Sequence, residues 1–80
     1  PQHHARAVDL LRRAATERDA DAARLLGFCY DMGLGVELDR KKAEASFRHA
    51  IQLGSSQALL DLARFLATNG TRRDDREAEQ

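Results

Sequence analysis

The chain of 80 residues contains one cysteine, one proline, no tryptophan and few aromatic residues. A lone Cys29 cannot close an intrachain disulfide, so a cystine-stapled miniprotein is excluded and no redox compartment is implied. Charge of one sign is also missing, with 13 basic residues against 13 acidic. That balance removes the broad positive field that nonspecific nucleic-acid or anionic-membrane binding requires. No apolar run approaches the roughly 20 residues needed to cross a bilayer, and there is no signal-peptide core. A chain of this length has room for one small core and buries only about 60% of its unfolded surface, which predicts marginal stability in isolation.

What is present is helical periodicity. Ala7, Val8, Leu10, Leu11, Ala14 and Ala15 recur at three- and four-residue spacing, which predicts an amphipathic helix over about 4–17. Asp19 and Asp21 offer cap oxygens and negative charge to a second helix, whose apolar stripe is Ala22, Ala23, Leu25, Leu26, Cys29 and Tyr30 and which runs to about Met32. Gly33 and Gly35 end it, because a helix C-terminus and its loop call for left-handed backbone angles; the loop is 33–38. Asp39 caps a third helix with Ala43, Phe47, Ala50 and Ile51 on one face, stopped by Gly54. Ser55 or Ser56 caps a fourth, with Ala58, Leu59, Leu62, Ala63, Phe65 and Leu66 inward, and Asn69 with Gly70 is expected to end it. The tail TRRDDREAEQ lacks apolar content and is expected to open a fifth, truncated helix.

The helices repeat with a period of about 36 residues. That offset pairs Ala7 with Ala43, Leu11 with Phe47, Ala14 with Ala50, Ala22 with Ala58, Leu26 with Leu62, Gly27 with Ala63 and Tyr30 with Leu66. Small residues pair with small and large with large, as antiparallel packing of close-approaching helices requires. The fold class is therefore all-α, antiparallel helical hairpins stacked as a short α-solenoid of about four helices. In this register 1–18 is the second helix of a preceding repeat and 19–54 a complete repeat. Residues 55–70 are the first helix of a following one, and 71–80 a polar tail or the start of a truncated helix. Both ends are expected to be internal to a longer array.

The run AARLLGFCYDMGLGVELDRKKAEASFRHAIQLG, from Ala22 to Gly54, resembles the Sel-1-like repeat family, relatives of the tetratricopeptide repeat. The family pattern falls on Ala22, Leu26, Gly27, Tyr30, Gly33, Gly35, Val36, Asp39, Lys42, Ala43, Phe47, Ala50 and Gly54. The following copy departs from it, with Ala63 for the Gly, Leu66 for the Tyr and Asn69-Gly70-Thr71-Arg72 for Gly-x-Gly-Val. The resemblance implies a right-handed superhelix whose first helices line a concave face that grips partner proteins or peptides, with no catalytic residues.

With Ala22, Leu26, Cys29 and Tyr30 inward, helical geometry turns Asp21, Arg24, Phe28 and Asp31 to the other side, and Gln57, Leu60 and Arg64 follow one period later. These seven are the candidate partner-binding residues, with Phe28 and Leu60 as apolar anchors. The alternative is that Phe28 and Leu60 pack against neighbouring helices.

Sharper chemistry finds little support. His3, His4 and His49 make no zinc set, since adjacent helical residues point about 100° apart and no Cys or carboxylate pattern completes a site. Cys29 sits on the apolar stripe as a small hydrophobe. Arg12-Arg13, Arg40-Lys41-Lys42 and Arg72-Arg73 lie among Asp9, Glu17, Glu44, Asp74 and Asp75, as on a solvated face, so nucleic acid is not the expected partner. Gly33-Leu34-Gly35 follows a helix and precedes no Gly-Lys-Ser/Thr, so it is no phosphate cradle. A non-enzymatic protein-interaction scaffold or adaptor without cofactor, metal or membrane insertion is the expectation. Two alternatives stay open. One is the β-lactam-binding or hydrolase-like activity of the family's cysteine-rich branch, whose paired cysteines and any Ser-x-x-Lys are missing here. The other is self-association through exposed repeat ends.

Overall fold

The structure is a computed structural model that describes residues 2–79, with side chains described over 5–69. The described residues form four helices and no strand: α1 (Gln2–Thr16), α2 (Ala20–Met32), α3 (Arg40–Gln52) and α4 (Ser56–Glu79). Each packs on its neighbour in the chain, most extensively α2 on α3.

The boundaries follow from caps. Asp19 accepts from the Ala22 amide at 3.1 Å, Asp39 from that of Lys42 at 3.1 Å and Ser55 from that of Ala58 at 3.1 Å. Each side chain satisfies one of the amides that a helix start leaves without a partner. Ser55, not Ser56, is the cap of α4. Gly33 closes α2 at φ +70° with its N–H bonded to the Cys29 carbonyl, and Gly35 at φ +71° redirects the chain toward α3.

The end of α4 departs from the sequence expectation. Asn69 and Gly70 do not terminate it, and 71–79 continue the same helix instead of opening a fifth. The Asn69 side chain is engaged within the bundle: its amide donates to the Phe65 carbonyl one turn back at 2.8 Å, and its oxygen accepts from Arg40. A side chain held in this way favours the right-handed helix over the left-handed cap position. The sequence beyond is rich in good helix formers with opposite charges at three- and four-residue spacing, such as Arg73 with Glu77.

The core runs through the stack as Val8, Ala15, Ala22, Leu26, Tyr30, Phe47, Leu62 and Phe65, with alanines between them. Phe47 is its centre, packed against Phe28 and Phe65 with ring centroids 5.2 and 5.8 Å away. Gly27 makes room for that ring, since a Cβ there would lie 2.6 Å from Phe47 Cε1. Tyr30 carries its polar end to the surface of the stack, where its hydroxyl accepts from Arg12 at 3.1 Å. That bond raises the Arg12 guanidinium further above its ordinary value. The Lys42 ammonium sits 5.7 Å from the centre of the same ring.

Candidate partner-binding groove

Arg24, Phe28 and Asp31 stand in one column of α2, spaced by four and three residues, so they share a face one above the other. The Phe28 and Phe47 rings meet in a T-shaped arrangement at an interplanar angle of 80°, and the Arg24 guanidinium lies 5.3 Å from the Phe28 ring centre. The same guanidinium donates from Nε to Asp61 Oδ2 on α4. Asp61 is 8% exposed, so this is a nearly dry carboxylate with one dedicated cation, and the pair ties α2 to α4 across α3. A second tie lies further along, where Arg40 of α3 pairs with Asp31 at 3.6 Å and donates to Asn69 of α4.

Between these two ties a cleft of about 230 Å³ opens, lined by Phe28, Asp31, Arg40, Phe47, Asp61, Arg64, Phe65, Thr68 and Asn69. Its floor is aromatic and its walls are charged. Asp31, Arg40 and Asp61 are committed to one another or to Arg24, whereas Arg64 is exposed and has no ion-pair partner among the described residues.

The seven sequence candidates divide accordingly. Phe28, Asp31 and Arg64 line the cleft, and Arg24 holds its wall through Asp61. Asp21 and Gln57 lie elsewhere, in a second cleft at the N-terminal ends of α2 and α4 with Asp19, Gly54 and Ser55. Leu60 is 64% exposed and lines neither cleft. Phe28 combines both readings, since it is half-buried against Phe47 and also lines the cleft.

Sequence reasoning did not place Arg40, Phe47, Asp61, Phe65, Thr68 or Asn69 among the groove residues. Asp61 carried a readable signal: it interrupts the stripe Ala58, Leu62, Phe65 at helical spacing, and a carboxylate on a buried face demands a cation. Asn69 was masked by its reading as a helix terminator.

Cys29 is half-buried against the core, and burial pushes its thiol above the ordinary value. It is therefore a poor nucleophile at neutral pH. Among the described residues no group of three or more His, Cys, Asp or Glu could hold a metal ion, and no helix is long and apolar enough to cross a membrane. The His3 and His4 side chains lie outside the described ones.

No protein-family model, curated protein or solved structure matches this chain.

Proposed function

We propose that this chain is a protein-interaction module of the Sel-1-like repeat type, which takes a side chain of a partner protein or peptide into the cleft between α2 and α4. The observation that carries the reading is the cleft's construction, an aromatic floor of Phe28 and Phe65 walled by fixed ion pairs beside the uncommitted Arg64. Its volume of about 230 Å³ lies below the roughly 300–1,000 Å³ of small-molecule sites, which suits one inserted side chain better than a whole ligand. Paired charges already fixed in place cost little ordering on binding, while the aromatic floor supplies an apolar anchor of the kind that dominates interface energetics. The lining residues include no His or Cys that could serve as base or nucleophile.

The test selects binders from a random peptide library against the 80-residue chain and measures their affinity for variants whose helicity is checked by circular dichroism. Phe28→Ala and Arg64→Glu should each weaken binding at least tenfold, and Leu60→Ala should leave it unchanged. Binders indifferent to both cleft substitutions would overturn the reading.

A further inference from the structure

The two outermost helices carry apolar faces that match the two sides of an interface already present inside the molecule. On α2, Ala23, Gly27 and Tyr30 form a buried column in which Gly27 lies directly under Phe47 of α3. Thirty-six residues later the same column of α4 is Leu59, Ala63 and Leu66, and all three are exposed, Leu59 by 56% and Leu66 by 41%. On α3 the facing column is Ala43, Phe47 and Ala50, each at most 1% exposed. Its counterpart on α1 is Ala7, Leu11 and Ala14, of which Ala7 is exposed and the others half-buried, with Leu10 beside them 64% exposed. α1 thus buries Val8 and Ala15 in the stack, with Leu11 and Ala14 partly packed against the same core, and leaves the rest of the side that α3 turns to α2 open.

We propose that a second copy of this chain covers α4, its α1 lying on α4 as α3 lies on α2, so that copies stack head to tail.

The choice of occupant rests on steric matching. Inside the molecule the close contact combines a residue without a side chain and a large ring, Gly27 under Phe47, with no space for a Cβ. Between copies the equivalent positions are Ala63 and Leu11: a methyl has been added on one side and the ring replaced by a smaller side chain on the other. The two changes offset each other in volume, as a well-packed contact requires. An arbitrary apolar helix would have no reason to carry the compensating residue at that position. Leu10 and Leu66 lie beside the contact and would leave water on association. Because the two faces differ, the contact is heterologous: each copy keeps a free α1 face and a free α4 face, and the assembly lengthens with concentration.

Sedimentation of the 80-residue chain over a range of concentrations tests this with two variants. The unsubstituted chain should show mass rising with concentration. Leu10→Glu and Leu66→Glu should each be monomeric with unchanged helicity, since each spoils one face. An equimolar mixture of the two should form a one-to-one dimer and nothing larger, because one intact junction remains. Three results would each overturn the proposal: a chain that stays monomeric at all concentrations, which would leave the α4 face to some other helix; self-association that persists in Leu10→Glu, as pairing of α4 with α4 would give; and a mixture that does not dimerise.

Discussion

Arg18 and Gly54, 36 residues apart, both hold a positive φ at the same point of two turns, +71° and +104°. Around Arg18, the Asp19 amide donates to the Ala14 carbonyl and the Arg18 amide to that of Ala15, both at 3.0 Å. Around Gly54, the Ser55 amide donates to the Ala50 carbonyl and the Gly54 amide to that of Ile51, both at 2.9 Å. The next residue in each turn, Asp19 or Ser55, then caps the following helix. One hydrogen-bonded device therefore closes α1 and α3 and opens α2 and α4.

That equivalence predicts stability effects of opposite sign. A Cβ at Gly54 meets nothing within 4 Å, so Gly54→Ala isolates the backbone term and should destabilise by about 1 kcal/mol. Arg18→Gly removes the same strain from a non-glycine residue and should stabilise by less than about 1 kcal/mol, since glycine also frees the unfolded chain. Urea unfolding midpoints at constant slope read both; equal signs would contradict the assignment.

The contact of Gly27 with Phe47 sets a steric test. Gly27→Ala places a methyl 2.6 Å from the ring and should destabilise by about 1–3 kcal/mol despite alanine's better helix propensity. Adding Phe47→Leu should recover part of the loss in a double-mutant cycle, as the Ala63 and Leu11 pairing implies.

The Arg24 and Asp61 pair should be asymmetric. Arg24→Met strands a carboxylate that is 8% exposed and should cost about 2–4 kcal/mol, moderated because the arginine side chain itself is 26% exposed. The double variant Arg24→Met with Asp61→Leu should recover most of that loss. Thermal unfolding of the two single variants and the double one measures the coupling.

Cys29 gives a pH dependence with a definite sign. Burial raises the thiol in the folded chain, so the unfolded chain ionises first as pH rises. The contribution is fully present below the ordinary thiol value and is lost as pH climbs through the folded one. Cys29→Ala should therefore show a shallower loss of stability in alkali. Iodoacetamide should alkylate the native chain more slowly than the urea-unfolded chain at the same pH.

Much of the fold was legible because it is written in short-range chemistry. Asp39 is a cap residue by side-chain reach alone, Asp19 and Ser55 are each one of two candidates between which the structure chooses, Gly33 answers a backbone need, and Leu26, Tyr30, Phe47 and Leu62 mark the core by three- and four-residue spacing. Elsewhere the reading fails: at Asn69 a local preference for termination yields to hydrogen bonds with Phe65 and Arg40, and Leu59, Ala63 and Leu66, inward by spacing, are exposed because no other described helix packs on that side of α4.

The candidate site was legible only by halves. Helical geometry put Arg24, Phe28 and Asp31 on one face and Arg64 on its counterpart, because the angle between residues of one helix depends on their spacing alone. It could not say which face residues converge. Leu60, Asp21 and Gln57 share the same faces by spacing yet stand outside the cleft, since convergence depends on how far apart two helices sit and at what angle they cross.

The sequence by itself marked the starts of α2, α3 and α4, three of the turns' special backbone positions and a pattern of small and large residues repeating about every 36, all of which can be read from residue type and spacing along the chain. The tertiary structure alone decided that Asp61 is buried and meets Arg24, that Arg40 bridges Asp31 and Asn69, and that α4 runs on to Glu79. Arg24 with Asp61 and Arg40 with Asn69 are 37 and 29 residues apart in sequence, Arg40 with Asp31 joins two different helices, and only packing brings such groups within reach of one another.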